Sequence, residues 1–545
     1  MQGMMMQIPL RIIEILRYAS EVHPEGEIVS VRTEGDIHRE TYAQAYKRSA
    51  QLAHGLKAIG VGDGDRVATL AWNGYRHFEL YYAISGMGAV CHTINPRLSA
   101  EQMLYIIEHA DDRVLFVDLT FVPILEALAE HLPKSLQLVV MTDRAHMPNS
   151  PLNWLCFEEL LDGQPEVFDW PMMDENAASG LCYTSGTTGH PKGALYSHRS
   201  TVLHAFMVAI TVPRSLHEGA RILPVVPMFH VNSWGLPYAA PLVGASLVMP
   251  GPKLDGVSLF DLMEVEEVTA SWGVPTVWLG LRGEMEMRGA VPGQLDQLVI
   301  GGSAAARDMI SFFEGKGIDV CHAWGMTEMS PIGTQAQISR PMAKLPDETK
   351  IDYKCTQGRR VFGVDLKIVD EAGKELPQDG KAVGELYVRG NAVVSGYFNN
   401  QEASDAAIDS EGWFGTGDVA SIDTKGFLSL QDRSKDLIKS GGEWISSIDL
   451  ENMALAHPKV ANCAVIAVAH PKWDERPLLV VVPVDAGDPP DLGEIHDMML
   501  EHVARWQLPD DMVMIDALPL TATGKVSKLT LRKTFGDHVL PDGAK

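Results

Sequence analysis

The chain has 545 residues, and its 45 Lys and Arg against 71 Asp and Glu give a formal net charge of −26. Hydrophobic residues make up 46% and charged residues 21% of the chain, values that exclude a wholly disordered or a fibrous protein. At roughly 100–200 residues per domain, this length predicts several folding units. The acidic excess disfavours nucleic acid as a partner, although a local cationic pocket can still bind a small anion.

The first residues predict a helix and no export signal. Residues 1–17 are apolar but are interrupted by Arg11, Glu14 and Arg17, a pattern that predicts an amphipathic helix and not a signal peptide. The six cysteines are scattered and none belongs to a CxxC pair. This usage is typical of reduced thiols in a cytoplasmic protein and disfavours a disulfide framework or a zinc site.

Apolar runs and helical segments alternate from about residue 65 onward. Helical spacing near 75–88, 100–110 and 120–132 separates runs that predict strands, namely residues 67–72, 89–94, 114–118 and 136–141. The same alternation returns between residues 246 and 315. Strands that alternate with helices of this length predict parallel sheets covered on both faces.

Two later regions differ from this pattern. Residues 363–370 and 384–389 alternate apolar with polar side chains and predict a small β-rich subdomain. Residues 433–545 begin with a charged segment and contain strands and helices of their own. The predicted fold class is therefore α/β. Its large N-terminal domain, residues 1–432, comprises two doubly wound α/β subdomains and the β-rich subdomain, and a small α+β C-terminal domain, residues 433–545, follows.

One long stretch carries no charge. Residues 222–252 contain no Asp, Glu, Lys or Arg, but they contain six prolines. Proline at this density is incompatible with a single membrane-spanning helix, so the chain predicts no membrane span. We expect the stretch to be buried around an apolar pocket.

The strongest motif predicts a phosphate-binding loop. Residues 183–193 read YTSGTTGHPKG, in which glycines and small hydroxyl residues let N–H and O–H groups converge on phosphate oxygens while Lys192 supplies a positive charge. A Walker A loop is excluded by spacing, because Lys192 lies between Pro191 and Gly193 and no Ser or Thr follows it.

In this loop and in later motifs the chain resembles the adenylate-forming superfamily. The family contains acyl-CoA synthetases, peptide-synthetase adenylation domains and luciferases. The resemblance extends in order along nearly the whole sequence, through the motifs GGSA (301–304), WGMTE (324–328), FGTGD (414–418), DRSKD (432–436), KSGGE (439–443) and TGK (523–525).

The resemblance implies ATP, Mg²⁺ and coenzyme A as cofactors. Lys525, Thr327 and His230 are the expected catalytic residues, and Glu328 is the expected magnesium ligand, since a carboxylate suits this hard cation. Asp418 and Arg433 are expected at the ribose, and Trp324 is expected to stack on adenine, where the family more often has tyrosine. The expected nucleotide-binding set is Thr184, Ser185, Gly186, Thr187, Thr188, Lys192, Gly302, Ser303, Ala304, His322, Ala323, Trp324, Gly325, Met326, Thr327, Asp418, Arg433 and Lys525.

Two chemical steps require two arrangements of the domains. The resemblance implies that the C-terminal domain is mobile and rotates about Lys435, which withdraws Lys525 after an acyl-adenylate has formed and admits the thiol of coenzyme A. The residues expected to serve this second step are Lys435, Ser440, Gly441, Gly442, Glu443 and Trp444.

The charge-free stretch is expected to line the acyl pocket. The expected pocket residues are His230, Val231, Trp234, Gly301, Gly325 and Pro331. Synthetases restricted to acetate have a tryptophan at the position of Gly325, so glycine favours a longer chain. No Asp is present to receive an ammonium group, which disfavours an amino-acid substrate.

Within the family, the runs around Trp324 and Gly441 resemble the medium-chain acyl-CoA ligase branch. That branch includes bacterial ligases for 3-methylmercaptopropionate. The sequence does not rank this acid against butyrate or hexanoate, because one methylene changes binding by only about 1–3 kcal/mol. A carrier-protein-loading adenylation enzyme, a luciferase-like oxygenase and a non-enzymatic AMP sensor remain alternatives, and a homodimer is the expected assembly.

Overall fold

The structure is a computed structural model that describes residues 1, 3–184, 190–433, 435–441, 443–521 and 525–541. Three sheets organise these residues. The first has seven strands, all parallel except for the last pair. In spatial order they are Trp154–Cys156, Gln137–Val140, Asp112–Val117, Arg66–Leu70, Val90–Thr93, Ala178–Tyr183 and Gly193–Ser197.

The second sheet has thirteen strands. In spatial order they are Val364–Val369, Gly384–Gly390, Phe414–Ile422, Phe427–Arg433, Gly358–Arg360, Ile332–Ala336, Asp319–Gly325, Gln297–Ile300, Ala270–Gly273, Arg221–Pro224, Ser246–Met249, Glu27–Val31 and Ile37–Thr41. Pairing is parallel from Glu27–Val31 through Asp319–Gly325. Beyond that strand it is antiparallel, so the predicted β-rich strands extend the parallel sheet without a break.

The third sheet belongs to the C-terminal part of the chain. It pairs Glu443–Ile445, Ile438–Ser440, Asp474–Pro483 and Val460–His470 in antiparallel fashion, and Asp511–Met514 joins it in parallel. The helices Ser447–Ala454 and Leu492–Met499 pack on its apolar side chains. The mixture of antiparallel strands and helices agrees with the predicted α+β class.

Helices cover both faces of the two large sheets. Those outside the third sheet are Ile13–Val22, Tyr42–Ala58, Tyr75–Gly86, Ala100–Ala110, Val122–Leu128, Phe157–Leu161, His198–Thr211, Leu236–Val243, Gly256–Val265, Pro275–Arg288, Arg307–Gly315, Asp347–Cys355 and Gln401–Ala407, and Lys528–Phe535 lies near the C-terminus. Short 3₁₀ turns span Leu119–Phe121, Arg144–His146, Thr327–Met329, Met342–Lys344 and Arg505–Gln507. No helix among the described ranges combines the length and apolarity that crossing a bilayer needs.

Local sequence signals explain where several helices begin. Thr41 accepts a hydrogen bond from the Gln44 amide while the Gln44 side chain accepts one from the Thr41 amide, and Ser99 and Gln102 form the same reciprocal pair. The first helix begins at Ile13, later than expected. Pro9 disfavours the helical conformation at the residue before it, and residues 4–8 are exposed.

The charge-free stretch is buried in the second sheet. It contributes the strands Arg221–Pro224 and Ser246–Met249 and the helix Leu236–Val243, in which most side chains are shielded from solvent. This confirms the predicted burial. One feature has no signal in the sequence: Val231–Trp234 forms a left-handed turn, with φ between +46° and +55° at four consecutive residues that are not glycine.

A buried arginine connects the first two sheets. Arg76 donates from Nη1 to Glu34 Oε1 at 2.7 Å and from Nε to Glu158 Oε1 at 2.8 Å. Glu34 lies next to a strand of the second sheet, and Glu158 lies on a helix packed against the first. Because each charged group has a partner of opposite sign, the pairing offsets part of the cost of burial.

Two backbone segments of the second sheet approach each other closely at Gly358. It has φ +82°, and a Cβ there would lie 1.9 Å from the Gln335 carbonyl carbon. We expect Gly358→Ala to lower the free energy of unfolding by about 3 kcal/mol or more, since overpacking adds to the left-handed penalty. Gly373→Ala is the matched control, because Gly373 has φ +78° with no atom within 4 Å. Chemical denaturation should find a loss of about 1 kcal/mol for that control. Equal losses in the two variants would contradict the close approach.

Candidate active site

A cavity of about 1290 Å³ lies where the carboxyl ends of the parallel strands meet the C-terminal part of the chain. It brings together most residues that the motifs predicted. Those that line it are Thr184, Lys192, His230, Val231, Trp234, Gly301, Gly302, Ser303, Ala304, His322, Ala323, Trp324, Gly325, Met326, Thr327, Glu328, Pro331, Asp418, Arg433, Lys435 and Lys525.

The residues expected at the thiol step lie elsewhere, apart from Lys435. Ser440 accepts a hydrogen bond from Arg476 Nη1 at 3.0 Å, and the Gly441 amide donates to the Trp473 carbonyl at 2.8 Å. Glu443 and Trp444 are exposed on the strand that follows. None of these four side chains or backbones lines the cavity. Their role therefore stays a prediction, and Ser185, Gly186, Thr187, Thr188 and Gly442 lie outside the described residues.

Asp418 connects the two groups expected around the nucleoside. Its carboxylate accepts from Trp324 Nε1 at 3.1 Å and lies 3.3 Å from Arg433 Nε. Burial raises the pKa of Asp418, an effect that the positive charge of Arg433 opposes. Trp324 is 8% exposed and packs in the core beside Gly333. Its N–H thus orients the carboxylate that is expected to bind ribose, a contact that motif spacing did not reveal.

Two tyrosines support the turn that follows Trp324. Tyr196 donates its hydroxyl to the Thr327 carbonyl at 2.6 Å, and Tyr397 donates to Glu328 Oε1 at 2.8 Å. Burial raises the pKa of Glu328. Neither tyrosine was predicted as a site residue, because each lies far along the chain from the turn it contacts.

The donor set fits magnesium better than a metal held by protein alone. No group of three or more His, Cys, Asp or Glu that could bind a metal occurs in the part of the chain that the structure describes. Mg²⁺ usually binds to one or two carboxylates together with substrate phosphates. Glu328 supplies a single buried carboxylate and lines the same cavity as Lys192, the lysine that is expected to bind phosphate. This arrangement matches that chemistry.

Lys525 reaches the cleft from the C-terminal part of the chain. A methyl group added to Gly302 would lie 3.7 Å from Lys525 Cε. Burial lowers the pKa of Lys525 to about 8 and the charge of Arg433 acts in the same direction, whereas Asp418 and Glu328 oppose both. Both carboxylates are therefore near enough to stabilise the charged ammonium of Lys525.

His230 lines the same cavity as Lys525, and its imidazole is neutral. Burial lowers its pKa to about 3, and the charges of Lys525 and Arg97 add to this effect. Near neutral pH it can donate or accept a hydrogen bond, but it cannot supply a positive charge.

The left-handed turn shapes the part of the cavity that is expected to receive the acyl chain. Left-handed backbone costs roughly 1–2 kcal/mol per residue. Ser233 stabilises the turn by donating its hydroxyl to the Val226 carbonyl at 2.7 Å and its amide to the Pro227 carbonyl at 3.2 Å. The turn places Trp234 against Gly301, where a Cβ would lie 3.1 Å from the indole. A side chain at residue 301 would therefore displace the tryptophan.

That glycine at residue 325 favours a longer chain stays a prediction, and the structure shows a separate local reason for glycine at this position. A Cβ at Gly325 would lie 1.9 Å from the Pro331 carbonyl oxygen, so the missing side chain points at backbone and not into open space. Glycine is required there because two chain segments cross closely. Val212, Trp272 and Val299 contribute further apolar side chains to the cavity lining.

Comparison with known proteins agrees with this arrangement. The model of the AMP-binding enzyme family matches residues 16–398, and that of the AMP-binding enzyme C-terminal domain matches residues 449–525. The 3-methylmercaptopropionyl-CoA ligase of Ruegeria lacuscaerulensis is 48% identical over 98% of this chain and 99% of its own length. The medium-chain-fatty-acid–CoA ligase of Ectopseudomonas oleovorans is 47% identical over 99% and 98%, respectively.

Solved structures extend the likeness to the fold. The o-succinylbenzoate CoA synthetase of Bacillus subtilis, in complex with its acyl-adenylate intermediate, matches with a TM-score of 0.78 and 25% identity, over 95% of this chain and 97% of that chain. The chain therefore belongs to the AMP-binding enzyme family, and within it to the AMP-forming acid–CoA ligases.

Proposed function

We propose that this ligase converts a short- to medium-chain carboxylic acid to its acyl-CoA, with 3-methylmercaptopropionate as the best specific candidate. The observation that carries the proposal is that Lys525 lines one cavity with the carboxylate of Asp418 and with Trp234, whose indole lies beside Gly302 as Lys525 does. One cleft thus combines a cation for phosphate chemistry with an apolar wall for a hydrocarbon chain.

The proposed chemistry has two steps. The acid's carboxylate oxygen attacks the α-phosphorus of ATP, which forms the acyl-adenylate and releases pyrophosphate. The thiol of coenzyme A then attacks the acyl carbon, a thioester forms and AMP leaves. Lys525 would offset the repulsion between carboxylate and α-phosphate, and Thr327 would donate a hydrogen bond to that phosphate. Magnesium, bound by Glu328 and the triphosphate, would neutralise charge on the leaving pyrophosphate.

The acid's identity is inferred from the pocket and the relatives together. Val212, Trp272 and Val299 in the cavity lining are apolar and buried. A thioether resembles a methylene in size and polarity, so a wall that accepts pentanoate also accepts 3-methylmercaptopropionate. The relatives from Ruegeria and Ectopseudomonas are named for this thioether acid and for medium-chain fatty acids. A general medium-chain ligase is therefore the second candidate.

Movement of the C-terminal domain is part of the proposal. Residues 433–545 would turn about Lys435 after the first step, and a loop around Gly441 would then approach the cleft. The position of Gly441 outside the cavity is compatible with a first-step arrangement. A cytoplasmic homodimer is proposed from the resemblance alone.

A panel of acids tests the function. With ATP, Mg²⁺ and coenzyme A, we expect 3-methylmercaptopropionate and acids of about four to eight carbons to yield acyl-CoA and AMP. Acetate should react at least about tenfold more slowly, since each lost methylene removes about 1–3 kcal/mol of binding. Chromatography of the thioesters is the measurement. Failure of every acid from C2 to C12 would refute the ligase proposal, and light emission or oxygen uptake without coenzyme A would favour an oxygenase.

Removal of the lysine should abolish the first step. We expect Lys525→Ala to slow acyl-adenylate formation by about 100-fold or more, the loss typical when a charge-stabilising donor is removed. The rate at which coenzyme A converts chemically prepared acyl-AMP to thioester and AMP should fall much less. Single-turnover release of pyrophosphate measures the first step, and Lys472→Ala, at an exposed lysine, is the control. An unchanged first step would remove Lys525 from the chemistry.

The rate of adenylate formation should depend on pH through the protonation of Lys525. Because the pKa of Lys525 is about 8, the cationic fraction in the free enzyme falls as pH rises above that value. We expect kcat/KM for adenylate formation, measured without coenzyme A, to fall about tenfold per pH unit above the pKa. In Lys525→Arg the remaining activity should stay level over the same range, since arginine remains protonated. A decline at the same pH in the arginine variant would assign it to another group.

A further inference from the structure

One tyrosine contacts both charged groups that face the triphosphate end of the cleft. We propose that Tyr397 is a positioning residue that orients the carboxylate of Glu328 toward magnesium and the ammonium of Lys192 toward phosphate. The inference rests on the proposed function, because it assigns these two groups to magnesium and ATP. Nothing in the motif pattern marked Tyr397 for this role.

The hydroxyl of Tyr397 determines how Glu328 is presented. It donates to Oε1 at 2.8 Å, while Glu328 itself is only 6% exposed. With Oε1 engaged, Oε2 is the oxygen available to a cation. A hydrogen bond to an ionised carboxylate is stronger than one between neutral groups, so it restricts rotation of the side chain.

The ring of the same tyrosine contacts Lys192. The ammonium lies over the ring, 4.9 Å from its centroid. At such a distance the attraction between a cation and an aromatic face is worth only about 0.5–2 kcal/mol, far less than a buried ion pair. The ring therefore orients the lysine but leaves it ready to exchange this contact for phosphate oxygens.

The backbone around Tyr397 reinforces both contacts. The Phe398 amide donates to the Gly193 carbonyl at 2.8 Å, next to Lys192, and the Val394 amide donates to the Glu328 carbonyl at 2.8 Å. Residues 394–398 are thus hydrogen-bonded to the segment that carries the lysine and to the turn that carries the glutamate. Fixing two groups before the ligand arrives lowers the entropy lost on binding.

Calorimetric titration of ATP without an acid substrate tests this role, since no turnover occurs. Each protein is titrated once with Mg²⁺ and once with EDTA. We expect Tyr397→Phe to raise the Kd of ATP about tenfold with Mg²⁺, the factor that a hydrogen bond to a charged group is worth. With EDTA its Kd should match that of the wild type, because the ring still contacts Lys192. Tyr397→Leu should raise the Kd with EDTA as well, by about threefold.

Matched variants separate positioning from a general loss of structure. Tyr353 carries Lys425 over its ring at 4.8 Å, like the pair under test, but lies outside the cavity. Tyr353→Phe should leave both Kd values unchanged. In Glu328→Gln, Mg²⁺ should no longer lower the Kd of ATP. Adding Tyr397→Phe to that variant should raise the Kd little further, because the hydroxyl acts through that carboxylate.

Several outcomes would overturn the inference. Tyr397→Phe with a wild-type Kd in Mg²⁺ would exclude a role for the hydroxyl, and an equal rise with Mg²⁺ and EDTA would indicate a general distortion. Tyr397→Leu with a wild-type Kd in EDTA would refute orientation of Lys192. Wild-type protein that binds no ATP in either buffer would refute the proposed function itself, which distinguishes the two failures.

Discussion

The cleft has to bring a carboxylate against an anionic phosphate inside a protein with a net charge of −26. Uncompensated, that approach is repulsive, and the repulsion grows as water is excluded. The fold places Lys192, Arg433 and Lys525 around one cavity. Two of these cations lie close enough that Arg433 depresses the pKa of Lys525, and Asp418 and Glu328 moderate the effect. The cavity thus pairs cations with carboxylates, whereas the chain as a whole carries an acidic excess.

Preorganisation in this cleft depends on contacts between distant segments. Asp418 is oriented by Trp324, Glu328 by Tyr397, and the Thr327 carbonyl by Tyr196. Each pair joins residues that are more than 60 positions apart. These segments come from both large sheets, since Tyr196 lies on a strand of the first sheet and Trp324 and Asp418 lie on strands of the second.

Close backbone approach sets the shape of the cavity around Trp234. Gly301 allows Trp234 to pack, and Gly325 lets the chain cross Pro331. The left-handed turn at Val231–Trp234 is a backbone conformation that the local sequence disfavours, and the buried hydrogen bonds of Ser233 compensate part of its cost. Strain of this kind is stable only where surrounding structure over-determines it, as it does here between two sheets.

The sequence by itself determined the alternating strands and the order of the motifs. The predicted strand at residues 136–141, for example, matches Gln137–Val140, because a hydrophobic run acts locally. It also indicated Lys525, Glu328 and Asp418 as a set, though not their partners. Only the tertiary structure decided that the β-rich strands continue the parallel sheet, that Gly325 faces backbone, and that Tyr397 contacts both Glu328 and Lys192. Those features follow from how separate chain segments pack against one another, and such packing leaves no periodic signal in either segment.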